Sequence, residues 1–357
     1  SVIPAWDGAR HGSMLDPRAN YFGQGYNNAT HSTCGDNRNG TRYGLMAYED
    51  SLRIKFPVTL DGNKSVISTI SLDAPKCGGA YEMLDIADVL TIVDALKSNT
   101  TFRPSYINTT KMFYDSATIN YSRITIFSAE GVSLPDHSNM MRMVWLDHAT
   151  RGQAGGNIRP RTNMNNEPYY YPIQMSTIAL LTMIDTSDRK KLINTLIQNG
   201  IDLHPIAQVN GDAFRAYGGF GNARKWPIVF AGIMLDEPLI QSVPSYFTSG
   251  SKQIDKFGED GHTYYGQPTS LYPQGKPLFG QDCFYDSYET SEFYAYCIAN
   301  DPQASGNKDC RDPQGILDGC LYRDINSLSW PGQALAARLM GAKDIWNHSA
   351  FFDYTDR

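Results

Sequence analysis

Charge is scarce in this sequence. Asp, Glu, Lys and Arg make up 19% of its 357 residues, while 41% are hydrophobic. Disordered chains have the reverse balance, so disorder is excluded. Positive charge is in deficit, with 31 Lys and Arg against 37 Asp and Glu for a net −6. A general nucleic-acid binder needs a basic surplus, so no nucleic-acid partner is expected. No apolar run approaches the roughly 18 residues of a membrane helix, and no membrane partner is expected either. Several catalytic signatures are missing. There is no G-x-S-x-G nucleophile elbow, no H-E-x-x-H pair and no P-loop. No C-x-x-C or H-x-x-x-H pair offers zinc ligands, so no metal or cofactor is expected. What the chain does have is 22 Tyr, 31 Gly and 19 Pro. That profile is common among secreted proteins that handle sugars.

Other features point to export. A chain that opens at Ser1 without a charged and apolar leader reads as a mature protein freed of its signal peptide. Seven N-glycosylation sequons begin at Asn28, Asn39, Asn63, Asn99, Asn108, Asn120 and Asn347. The even set Cys34, Cys77, Cys283, Cys297, Cys310 and Cys320 predicts three disulfides. Fifteen pairings are possible. Spacing suggests Cys34 with Cys77 and two local bridges among the last four. The expected protein is secreted, glycosylated and monomeric.

Periodicity gives a coarse fold. Residues 1–50 show none and read as an irregular arm. Residues 53–60 alternate in hydrophobicity, Asp61-Gly62 follows, and 66–72 is β-rich, which predicts a hairpin with an edge strand at Pro57. Ile86, Val89, Leu90, Val93 and Leu96 recur at helical spacing over 85–97. Helices are also predicted over 170–184, 187–199 with Gly200 as a stop, 225–235 and 330–346. Pro227 and Pro331 suit first helical turns. Buried helices, long loops and no βαβ alternation predict a mainly α single domain over 1–357. Its expected form is an (α/α) toroid, a barrel of antiparallel helix pairs. The small β-hairpin and irregular arm of residues 1–80 pack on it.

Five stretches concentrate chemistry. Segment 256–266, KFGEDGHTYYG, gathers Glu259, Asp260, His262, Tyr264 and Tyr265 in a glycine-bounded loop. An imidazole can take a proton near neutral pH, and a phenol can deliver one. The alternative is a turn with packed Tyr rings. Segment 159–171, RPRTNMNNEPYYY, offers Arg159, Arg161, Asn165, Asn166 and Tyr169 to a carboxylated ligand, or else caps the following helix. Segment 214–228 supplies Arg215, Tyr217, Arg224 and Trp226 as cations and stacking faces, unless Trp226 lies in the core. Tyr322 and Arg323 precede the last helix, where an Arg–Asp surface pair is the alternative. His204 follows a helix, and His137 and His148 flank a Met-rich stretch. A lone His is more often structural. Asp282, Asp286, Glu289 and Glu292 read as a solvated helix face rather than a calcium site.

Three of these stretches also carry a resemblance. GGFGNARKWPIVFAG, KFGEDGHTYYG and ALAARLMGAKDIWNHSAFFDYTDR resemble secreted α/α-toroid proteins related to polysaccharide lyases, most of all polysaccharide lyase family 38. The resemblance covers roughly residues 155–357. It implies β-elimination on a uronic-acid polymer, alginate or glucuronan, without a metal. Donors must first neutralise the uronate carboxylate, since the C5 proton is otherwise too weakly acidic. A base then takes that proton, and an acid protonates the departing C4 oxygen. The resemblance points to Arg161, Asn165, Asn166 and Arg323 as neutralisers and to His262 and Tyr265 as base and acid. Tyr264, Arg224, Trp226, Tyr217, Tyr169, Tyr322, Arg159 and His204 are the expected substrate-binding residues. Two other readings remain: a toroid glycoside hydrolase using Asp260 with Glu259 or Glu167, and a carbohydrate-binding glycoprotein without turnover.

Overall fold

A run of strand-forming residues at 66–70 (VISTI) becomes the middle of a sheet. The computed structural model describes residues 11–19, 23–26, 48–71, 82–128, 144–146, 148, 159–160, 170–209, 214, 221–249, 252–265, 270, 273–274, 277–279 and 326–356. In it, β1 (His11–Leu15) and β3 (Glu82–Ile92) flank β2 (Lys64–Ser71), and both pair with it antiparallel. Arg159–Pro160 adds a two-residue parallel strand, β4, beside β3. One face of the sheet sends Met14, Ile67 and Ala87 into the core. On the other face the cross-strand pair Ser13 and Ser68 share a hydroxyl hydrogen bond of 2.7 Å, so two buried polar groups satisfy each other.

Both expectations for this half need correction. Residues 85–97 do not form a helix. The spacing of 86, 89, 90 and 93 is helical, but Leu84, Ile86, Leu90 and Ile92 also recur at even spacing, as on one face of a strand, and the open edge of β2 selects the strand. Ala87 then points inward while Ile86, Asp88 and Leu90 are exposed. Nor do residues 53–60 pair with β2 as a hairpin, because β1 and β3 already fill both of its edges.

The helices follow. They are α1 (Tyr170–Leu181), α2 (Arg189–Val209), α3 (Lys225–Met234) and the single turn α4 (Pro238–Gln241). The hairpin β5 (Tyr246–Ser249) and β6 (Lys252–Asp255) leads to the short α5 (Gly258–Gly261) and to β7 (Thr263–Tyr265). That strand pairs with β8 (Pro277–Phe279). The chain ends in α6 (Trp330–Leu339), α7 (Lys343–Trp346) and α8 (Ser349–Thr355). Gly200 does not stop α2. It lies where α2 crosses α3, and a Cβ there would sit 2.1 Å from the Pro227 carbonyl oxygen. Gly332 plays the same part between α6 and α1. Its amide donates to Ser176 Oγ at 2.7 Å, and a Cβ would fall 2.2 Å from the Ser176 carbonyl oxygen. The expected single helix over 330–346 breaks at Gly341, whose φ is +66°.

The mainly α toroid is therefore corrected. Among the described residues there are eight α-helices, three of them only four residues long, beside a four-stranded sheet that is antiparallel except at β4 and two two-stranded antiparallel sheets. Two close helix pairs, α2–α3 and α1–α6, do not make a ring.

Segment 103–111 clamps the sheet to the helices with charge. Arg103 grips Asp202 of α2 with both guanidinium branches, one of them at 2.8 Å. The Lys111 ammonium bonds Asp16 Oδ1 at 3.0 Å and the carbonyls of Ser105 and Ile107 at 3.0 and 2.7 Å. Asp16 Oδ1 also accepts the Ser65 amide at 2.8 Å, beside the start of β2.

Two stability outcomes are expected. Gly200→Ala forces α2 off α3 and lowers stability by about 1–3 kcal/mol, read as a lower urea midpoint. An unchanged midpoint would show that the helices can part without cost. Arg103→Met strands the buried Asp202 carboxylate and costs about 3–5 kcal/mol. A much smaller loss in the same titration would show that Asp202 finds water or another donor.

Candidate functional site

Two of the chemistry-rich stretches meet. The turn at 221–225 (GNARK) packs on the 256–265 loop. Gly258 makes the close approach possible, because a Cβ there would lie 2.4 Å from Asn222 Oδ1 and 2.6 Å from its backbone nitrogen. The Glu259 carboxylate accepts the amide of Ala223, which holds a left-handed φ of +71°. Lys225 and Asp260, both fully buried, form an ion pair. The other Asp260 oxygen accepts Trp346 Nε1 at 2.9 Å, and the Lys225 ammonium also reaches Ser245 Oγ at 3.2 Å. The same ammonium lies 5.3 and 5.2 Å from the ring centres of Phe257 and Trp346. Arg224 donates to the Asn222 carbonyl at 2.8 Å and lies 5.1 Å over the Trp145 ring. Asn222 donates its amide to Asn326 Oδ1 at 3.3 Å, just before α6.

Burial sets the protonation states. It pushes the Glu259 carboxyl up to about 7 and brings the His262 imidazole down to about 4. It also lowers Lys225, against the opposing pull of Asp260. His262 Nδ1 lies 2.7 Å from the Gly258 carbonyl oxygen. A carbonyl can only accept, so the proton is assigned to Nδ1.

This arrangement reassigns several expected site residues. His262 is fully buried and neutral, so a polymer cannot reach it as a base. Arg224 and Trp226 are fully buried too, and Trp226 stacks on Trp346 with ring centres 6.5 Å apart. Neither offers a face to a sugar. His204 is buried within α2 and bonded to Gln208, with burial holding it down near 4. Tyr264 is buried as well. Glu259 and Asp260 are enclosed and already engaged, which removes the carboxylate pair of the hydrolase reading.

Tyr265 is the exception. Its side chain is half-buried, and its hydroxyl donates to Asp353 Oδ2 of α8 at 2.5 Å. Lys343 holds the other Asp353 oxygen at 3.3 Å. Burial first, and Asp353 second, raise the phenol well above its ordinary range. Next to it, His348 Nε2 contacts the Thr263 carbonyl oxygen at 2.8 Å.

Arg159 is described only as the backbone partner of Glu82 in β4. Arg161, Asn165, Asn166, Tyr169, Tyr217, Tyr322 and Arg323 lie outside the described residues, as do all six Cys, Asn28 and Asn39. Asn63, Asn99, Asn108 and Asn347 are exposed, and Asn120 is half-buried. Among the described residues no group of three His, Cys, Asp or Glu is arranged to hold a metal ion. No helix among them is long and apolar enough to cross a membrane. Sequence reasoning missed Lys225, Asp353 and Trp346. A lysine opening an otherwise apolar run (KWPIVFAGIM) was a signal for Lys225, since a buried ammonium demands a carboxylate. Nothing marked Asp353.

The buried loop carries opposed titrations. Glu259, raised from 4.5 to about 7, adds stability below pH 4.5 that is lost as pH rises through 7. His262 and His204, lowered from 6.5 to about 4, add stability above pH 6.5 that is lost as pH falls through 4. Between these limits Glu259 offsets one imidazole. Glu259→Gln keeps an acceptor for the Ala223 amide and removes the offset. Urea titrations from pH 6.5 to 4.5 are expected to show the loss of stability steepened by about 1.4 kcal/mol per pH unit. Parallel profiles for variant and parent would remove Glu259 from this balance.

Comparison of the chain with protein-family models, with curated proteins and with solved structures gives no match.

Proposed function

We propose that the protein is a secreted lyase that cleaves a uronic-acid polymer, alginate or glucuronan, by β-elimination. The resemblance of the 218–232, 256–266 and 334–357 segments to polysaccharide lyases supports this reading. So does the chemistry of the loop pair. The buried clasp of Glu259, Asp260, Lys225 and Arg224 is a scaffold, and it orients β7 with Tyr265 at its accessible end. The observation that carries the proposal is that phenol. Tyr265 is half-buried rather than enclosed, and burial first, with its bond to Asp353 second, holds the phenol protonated.

In the reaction the C5–H bond and the C4–O bond break and a C4–C5 double bond forms. The C5 proton goes to a base, and the C4 oxygen leaves with a proton. With the C5 proton and the leaving oxygen on one face, Tyr265 carries both steps: its phenol proton passes to Asp353, the phenolate takes the C5 proton, the phenol gives that proton to the departing C4 oxygen, and Asp353 returns its proton to the phenolate. His262 is withdrawn as the base and instead positions the loop through Gly258. Arg161, Asn165, Asn166 and Arg323 remain the proposed neutralisers of the substrate carboxylate. The chemistry needs no metal in principle. A carbohydrate-binding glycoprotein without turnover is the second reading, favoured by the enclosure of His262, which removes the expected base.

Incubation with alginate and glucuronan separates the readings. Elimination produces an unsaturated uronate that absorbs in the ultraviolet. New reducing ends without absorbance would mean hydrolysis, and neither change on any uronan would mean binding alone. Tyr265→Phe is expected to lower kcat by about 10²–10⁴-fold, the range of a general acid, with the circular dichroism spectrum unchanged. Near-parental turnover would take Tyr265 out of the mechanism.

A further inference from the structure

Three sequons, at residues 63, 99 and 108, attach to one end of the sheet. Antiparallel pairing puts the end of β1, the start of β2 and the end of β3 side by side, with Leu15 opposite Val66 and Lys64 opposite Ile92. Asn63 directly precedes β2, and its Oδ1 accepts the Asp94 amide at 3.2 Å, just past β3. Asn99 lies in the turn that follows, closed by the Thr101 amide on the Ser98 carbonyl at 3.0 Å. The Asn108 amide donates to the Pro17 carbonyl at 2.8 Å, just past β1. All three Asn are exposed. The same end carries apolar surface: Leu96 is 98% exposed, and Met112, next to the Lys111 that holds Asp16, is 43% exposed.

We propose that Asn63, Asn99 and Asn108 carry N-linked oligosaccharides that together shield this end of the sheet and its apolar residues. In the transfer, each Nδ2 forms a bond to the anomeric carbon of an oligosaccharide carried on a lipid diphosphate. The sugar–phosphate bond breaks, the lipid diphosphate leaves, and the amide gives up one proton. Attachment at Nδ2 spares Oδ1, so Asn63 keeps its bond from Asp94. Ser65, the hydroxyl residue of the first sequon, is fully buried, so transfer at Asn63 precedes the docking of β2. Asn120 differs. Its side chain is half-buried, its Oδ1 takes the Ser122 hydroxyl at 2.6 Å, and its amide is docked on the Met234 carbonyl at 2.8 Å. Asn347 is exposed too, but it lies between α7 and α8, among the helices.

This inference rests on export of the chain and not on lyase activity, so glycan mapping and the uronan assay succeed or fail separately. The full chain is secreted from a eukaryotic host, and enzymatic deglycosylation in heavy-oxygen water marks each occupied Asn in peptide maps. Occupancy at residues 63, 99 and 108 is expected, and an unmodified site among the three overturns the shield. The triple variant N63Q/N99Q/N108Q is expected to bind a hydrophobic dye at least roughly two-fold more than the parent and to self-associate, while N347Q does neither. If the triple variant fails to fold, enzymatic trimming of the folded parent gives the same readout. Dye binding and oligomeric state that do not change on glycan removal would overturn the proposal.

Discussion

The pairing of Lys225 with Asp260 is the constraint on which the C-terminal half depends. Both groups are fully buried, and each would be untenable there alone. Lys225 opens α3, while Asp260 sits in the short α5. Their attraction therefore fixes the 256–265 loop against the first turn of a helix that is buried on every side. Trp346 and Ser245 complete the hydrogen bonding of the pair, bringing α7 and the start of β5 to the same point. Desolvation of two charges is costly enough that such a pair contributes little net stability. What it supplies is a single register. Any shift of the loop by one residue would leave an ammonium and a carboxylate unpaired in the core.

That constraint explains why the polar loop was legible in the sequence and its role was not. Glu259, Asp260 and His262 between glycines do mark a place where backbone and polar groups approach closely. The partners at that approach, however, are Asn222, the Ala223 amide and the Gly258 carbonyl, all within the chain. A sequence displays the density of donors and acceptors but not whether they are satisfied from inside. The single informative exception was Lys225, whose place before WPIVFAGIM required an internal anion.

The fold was legible in the same uneven way. Helices at 170–181 and 225–234 declared themselves by composition, though only the second is buried all round, and the strand at 64–71 did so by its β-branched residues. Residues 85–97 misled because a half-exposed strand carrying Ile86 and Leu90 on its outer face mimics helical spacing. Only the vacant edge of β2, a tertiary fact, decides the matter. Gly200 misled for a related reason. A glycine that admits a neighbouring backbone and a glycine that ends a helix look alike until the neighbour is in place. The toroid followed from these local readings. Residues assigned to helices went into a sheet, and the long helix at the C-terminus split at Gly341.

Tyr265 and Asp353 stand at the margin between this internally satisfied core and solvent, which limits how an acidic polymer could bind. Lys343 is tied to Asp353, and Arg338, one turn earlier on α6, is tied to Asp356. Neither cation can leave its carboxylate without exposing like charge to an arriving uronate. The field at Tyr265 from these described neighbours is therefore close to balanced. A uronate there must draw its neutralising donors from elsewhere in the chain, and the 159–166 and 322–323 stretches hold the arginine and asparagine side chains that chemistry requires. The net charge of −6 makes that demand stricter, because the long-range field repels the polymer and only a local concentration of guanidinium and amide groups can reverse it.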